Sequence, residues 1–80
     1  MSSAVDRLSV WAVRYALGRA TYAVHDVVDT LIAERASLTP QSREVIIRDI
    51  SEAEARGGLG MAMDAVAWLR LRDTLMEETR

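Results

Sequence analysis

Residues 11–35 read Trp11-Ala-Val13-Arg14-Tyr15-Ala16-Leu17-Gly18-Arg19-Ala20-Thr21-Tyr22-Ala23-Val24-His25-Asp26-Val27-Val28-Asp29-Thr30-Leu31-Ile32-Ala33-Glu34-Arg35. Val13, Ala16, Leu17, Ala20, Val24, Val27, Val28, Leu31 and Ile32 recur at the helical period and form one apolar stripe. The pattern permits a single helix from about Val5 to Arg35. Thirty residues of helix would span about 45 Å. A compact domain of 80 residues has a radius of gyration of about 12 Å and so a diameter of about 30 Å. Size therefore predicts a break at Gly18-Arg19 and two helices joined there. One continuous, protruding helix is the alternative.

Outward from this stretch, two further marks divide the chain. Ser37-Leu38-Thr39-Pro40 offers Thr39 as an N-cap and Pro40 at the first helical position. Arg56-Gly57-Gly58-Leu59-Gly60 is a helix stop followed by a turn. A third helix is predicted over about 40–56, with Ile46, Ile50 and Ala53 inward and Ile47 at the edge. Its Glu44, Arg48, Glu52 and Arg56 stand at i, i+4 spacing as a solvated ladder. A fourth is predicted over about 61–78, with Ala65, Trp68, Leu69, Leu71, Leu75 and Met76 on a wide apolar arc that Arg72 and Asp73 interrupt. The expected fold is one all-α domain over 1–80, a compact bundle of three to four short helices.

Composition narrows the function classes. There is no Cys, which excludes disulfides and thiolate metal sites. All ten basic residues are Arg, there is no Lys, Asn or Phe, and the formal charge is −2. That balance does not suit a chain that binds nucleic acid through its net charge. No run of about 18 apolar residues suggests a membrane span, and Met-Ser-Ser does not open a secretory signal. A bacterial cytoplasm fits this usage.

Few groupings suggest chemistry. His25 lies beside Asp26 and one turn before Asp29. It is either a base oriented by a carboxylate or, the plainer reading, a polar residue bordering the Val24/Val28 stripe. Asp26/Asp29 and Glu77/Glu78 lack the spacing of a metal loop. The glycines at 57–60 lack the Lys-Ser/Thr ending of a phosphate loop. Neither an enzyme nor a cofactor is expected.

The sharper feature is the ring-bearing row Trp11, Tyr15, Gly18 and Tyr22, nearly opposite Val13, Leu17 and Val24 and flanked by Arg7, Arg14 and Arg19. Trp, Tyr and Arg dominate binding hot spots. The bulk of these rings equally suits a core, and for Trp11 and Tyr15 core packing is the plainer reading. Arg14 and Arg19 are expected either to pair with internal acids such as Asp64 or Asp73 or to face a partner's anions. Arg72 is expected to run along the bundle edge, to pair with Asp49, or to meet a partner.

Trp-Ala-Val-Arg-Tyr-Ala-Leu-Gly-Arg-Ala-Thr-Tyr-Ala-Val at 11–24, Arg-Asp-Ile at 48–50, and Gly-Met-Ala-Met-Asp followed by Trp-Leu-Arg within 60–70 resemble a family of short phage and prophage proteins. The chain also resembles small anti-CRISPR proteins that act on a type I (I-C-like) Cascade complex. The resemblance implies a compact helical protein that occupies a surface of that complex and blocks target DNA binding or nuclease recruitment. Its partners would be Cascade protein subunits, with no direct nucleic-acid or membrane contact. No catalytic residue is implied, and Trp11, Arg14, Tyr15, Arg19 and Tyr22 form the block to test. Two other readings stay open. One is a small DNA-binding regulator reading through the third helix with Arg43 and Arg48. The other is an accessory phage protein that self-associates through Trp11 or Trp68, although a monomer is favoured.

Overall fold

A computed structural model describes the backbone of residues 4–17 and 21–78 and the side chains of 9–17 and 23–78. Among the described residues four helices follow one another: α1 (Ala4–Ala16), α2 (Thr21–Ala33), α3 (Pro40–Ala55) and α4 (Ala62–Glu78), with one 3₁₀ turn at Arg35–Ser37. No strand occurs among the described residues. α1 stops at Ala16 and α2 starts at Thr21, so the apolar stripe is split between two helices. Gly18, Arg19 and Ala20 lie between them, outside the described residues. The break answers the size conflict, since the molecule measures 34 × 24 × 18 Å with a radius of gyration of 11.4 Å.

The local signals act where the sequence puts them. Thr39 is extended and its hydroxyl accepts from the Ser42 N–H at 3.2 Å, with Pro40 at the first helical position. At the other end of α3, Gly57 adopts φ +71°. Its N–H donates to the Glu54 carbonyl at 3.1 Å, and the Gly58 N–H donates to the Ala53 carbonyl at 2.7 Å. This is the paired 5→2 and 6→1 closure of a Schellman motif, which consumes two orphan carbonyls. Gly60 has φ +87°, and a Cβ there would stand 3.4 Å from Asp64 Oδ2. Asp64 is buried in the first turn of α4, where the helix dipole favours a carboxylate.

The helices pack as a ring, α1 on α2, α2 on α4, α4 on α3 and α3 on α1, leaving α1 and α4 at opposite corners. Ion pairs and seams fix the directions. Arg14 meets Asp49, and Leu17 lies beside Glu52 and Arg56, so α1 and α3 run parallel. Asp29 meets Arg70, and Ala33 lies beside Thr74, so α2 and α4 run parallel. The bundle is thus two antiparallel helical hairpins laid side by side.

Its core holds Val13, Ala16, Val24, Val28, Leu31, Ile46, Ile50, Ala53, Ala67, Trp68, Leu71 and Leu75, closed at the ends by Leu38 and Leu59. Val27, Ile32, Ile47, Ala65 and Leu69 pack against it from the edge. Two expectations change. Met76 faces water, because α4 is covered only on the sides that meet α2 and α3. The ladder of Glu44, Arg48, Glu52 and Arg56 is exposed as expected, yet these residues form no ion pair with one another; Arg48 leans to Asp49 at 3.9 Å. Exposed long side chains gain too little from such pairs to be held in them.

At one end, three elements are tied together. Arg43 donates to Glu78 Oε2 at 2.7 Å, to the Leu38 carbonyl at 3.2 Å and to the Arg35 carbonyl. Arg35 bonds the same carboxylate and the Ile32 carbonyl. Glu78 stands in the last turn of α4, where the dipole opposes a negative charge. Bonds from Arg43 and then Arg35 reverse that, and hold its pKa below the ordinary 4.5.

Candidate functional site

The rings of α1 lie outside the core. Trp11 is 62% and Tyr15 52% exposed. Core packing of these two, the plainer expectation, is therefore overturned. The core stripe of α1 is filled by Val13, Ala16 and the buried Ser9. In an ideal helix Trp11 and Tyr15 project roughly 160° to 200° from Val13, which points them away from the bundle. They stack on each other with centroids 5.1 Å apart and planes 14° from parallel. The i, i+4 spacing makes this contact possible, and the stack presents one broad face instead of two separate rings.

Arg14 flanks this face. Its Nε donates to Asp49 Oδ2 at 2.8 Å while its side chain remains 56% exposed. The partner is thus neither Asp64 nor Asp73. Asp64 lies within the bundle on α4, and α4 sits across the diagonal from α1. Asp49 is available because α3 is the direct neighbour of α1. Arg19 lies outside the described residues, and so does the side chain of Tyr22.

Arg72 does not join this face. It stands on α4, bonds Glu54 at 2.8 Å and Asp73 at 3.1 Å, and does not reach Asp49. Partial burial lowers its pKa, but the bonds to Glu54 and Asp73 more than offset this and raise it. Glu54 wins over Asp49 because Asp49 turns towards α1.

The other candidates resolve as follows. His25 is half-buried, its Nε2 has no hydrogen-bond partner among the described residues, and it bonds neither Asp26 nor Asp29. Asp29 is taken by Arg70, so the carboxylate–imidazole pair needed for an oriented base is not formed. Among the described residues, no three His or acidic side chains come close enough to hold a metal ion, and no helix is long and apolar enough to cross a membrane. Trp68 is fully buried, which removes it as a self-association surface. Arg43 is consumed by the end clamp with a side chain only 13% exposed, so α3 would meet DNA with Arg48 alone of its two expected cations.

Two features escaped the sequence. A groove of about 330 Å³ runs along the α1–α2 seam, lined by Ser9, Ala12, Asp26, Val27, Thr30, Leu31 and Glu34. Small residues at 9 and 12 were its only signal. Met61, just before α4, and Met63 and Val66 in its first turns stand exposed.

Comparison with known protein families, curated proteins and solved structures finds no match.

Proposed function

We propose that this chain is a protein-binding module that docks through the outer face of α1. The observation that carries this is the stacked Trp11–Tyr15 pair, left in water by a fold that buries its other tryptophan completely. A stacked pair is already ordered, so docking on it costs little further side-chain entropy. Arg14 adds a donor fork at the edge of the rings, anchored by Asp49.

The resemblance noted in the sequence supplies a specific partner. In that reading the chain is a phage-derived inhibitor in a bacterial cytoplasm. It occupies a protein surface of a type I Cascade complex and blocks target DNA binding or nuclease recruitment. The test is co-elution of the purified chain with Cascade on a sizing column, with the Trp11→Ala/Tyr15→Ala variant alongside. The native chain is expected to co-elute and the variant to bind at least about 30-fold more weakly, the loss of one hot spot of about 2 kcal/mol. Clean separation at micromolar concentration from several type I complexes would remove Cascade as the partner. Undiminished binding by a folded double variant would remove the α1 face.

A further inference from the structure

We infer that the groove between α1 and α2 is a seat for a cationic, amphipathic helix of the partner protein. This rests on the protein-binding reading above and gives the partner its chemistry. The groove adjoins the aromatic face: Ala12 forms part of its wall and lies three residues before Tyr15, so the two are neighbours on the surface of α1. Its floor is apolar, made by the half-buried Val27 and the buried Leu31. Ser9 and Ala12 are small, which keeps the α1 wall low and lets another backbone come close.

The far bank carries the charge. Asp26 and Thr30 on α2 and Glu34, the residue just past its end, follow at i, i+4 and i+8, and all three are exposed. Neither carboxylate enters an ion pair among the described residues, although Asp29, Asp49, Glu54, Asp73 and Glu78 all do. Among the described residues, no basic side chain lines the groove. Glu34 closes the last turn, its N–H donating to the Thr30 carbonyl at 2.9 Å, so the helical rise from Asp26 still puts the two carboxylates about 12 Å apart, the distance between Arg or Lys side chains two turns apart on a facing helix. Aliphatic residues on the same face of that helix would rest on Val27 and Leu31, and its flanking cations could also reach the faces of Trp11 and Tyr15.

The probe is a fluorescein-labelled 15-residue helix of Leu and Lys at heptad spacing, with a control in which Glu replaces every Lys. Fluorescence anisotropy reads affinity, and backbone amide shifts locate binding. The Lys peptide is expected to bind, to weaken with added salt, and to shift amides at Ala12, Val27, Thr30 and Leu31. The Glu peptide is expected not to bind. Asp26→Asn/Glu34→Gln, two exposed changes whose fold is checked by circular dichroism, should weaken the Lys peptide roughly tenfold. The inference is overturned by equal binding of both peptides, by undiminished binding to the double variant, by shifts confined to Met63 and Val66, or by no binding at millimolar peptide. A self-dimer that covers the groove in sedimentation would overturn it too. Against the native partner the two readings separate. If Trp11→Ala/Tyr15→Ala abolishes binding while Asp26→Asn/Glu34→Gln leaves it intact, the groove inference falls and the α1 face stands. If neither variant matters, the α1 face falls as well.

Discussion

Truncating the two tryptophans separately should have very different effects on stability. Trp68 is fully buried among Ile46, Ile50, Leu71 and Leu75. Removing so large a core ring costs about 3–5 kcal/mol. Its indole N–H has no hydrogen-bond partner among the described residues, a burial penalty of about 1–3 kcal/mol that truncation relieves. The expected net cost of Trp68→Ala is therefore about 3 kcal/mol, the low end of the core range. At roughly 0.05–0.15 kcal/mol per residue, a domain of this size holds about 4–12 kcal/mol in all. Trp11, by contrast, is 62% exposed and loses only its stack on Tyr15, worth about 0.5–1.5 kcal/mol. Ala returns up to about 0.7 kcal/mol of helix propensity at that position. Trp11→Ala should thus fall within about 1 kcal/mol of the native chain. Urea titration followed by far-ultraviolet circular dichroism reads both without depending on indole fluorescence. With a slope near 1 kcal/mol/M, Trp68→Ala should lower the midpoint by about 3 M, or leave no folded baseline, and Trp11→Ala by less than about 1 M. Equal losses for the two variants would refute the placement of Trp11 outside the core.

Three further outcomes follow from the termini and the clamp. Gly57→Ala meets no steric neighbour, yet φ is +71° there; the left-handed backbone should cost about 1–2 kcal/mol, read as a drop in melting temperature that Gly57→Asn partly avoids. Thr39→Ala removes the acceptor for the Ser42 N–H and should cost about 1 kcal/mol in urea denaturation, whereas Thr39→Ser should cost little. Glu78 has a folded-state pKa depressed by Arg43 and Arg35, so its contribution is complete above the unfolded value of 4.5 and is lost as pH falls through the folded value. The stability gap between the native chain and Glu78→Gln should be present at neutral pH and shrink progressively below pH 4.5; a gap of constant size would show that the clamp does not depend on the carboxylate charge.

Much of the architecture was legible because its causes are local. Thr39-Pro40 places the start of α3 at Pro40, and Gly57 places its end at Ala55, one residue short of the expected Arg56. α4 starts at Ala62 instead of Met61 and ends at Glu78 as expected. The split near Gly18 followed from comparing helix length with domain diameter. What stayed hidden was relational. Which acid meets Arg14 depends on which helix stands beside α1, and the choice of α3 over α4 is written in no single segment. The same choice of neighbours gives Asp49 to Arg14 and leaves Glu54 and Asp73 to Arg72. The position of Trp11 and Tyr15 turned on whether α1 is covered on one side or two. Four short helices in a ring cover each helix on its inner side only, which exposes the rings. The α1–α2 groove and the Arg35–Arg43–Glu78 clamp join residues far apart in sequence, the groove with no local mark beyond the small residues at 9 and 12 and the clamp with none.

Since α1 runs against α2 while α4 runs with it, the first turn of α1 and the last turn of α4 share one end of the bundle, and the Gly57–Gly60 turn occupies the other. A Gly-Ser bridge across the diagonal of that end could join Ala4 to Glu78, and the chain could be reopened at Gly58, without cutting a helix. Such a circular permutant keeps α1, its rings and the α1–α2 seam intact while removing the closure at the end of α3. It would separate what the surface of α1 does from how the α3–α4 hairpin is assembled.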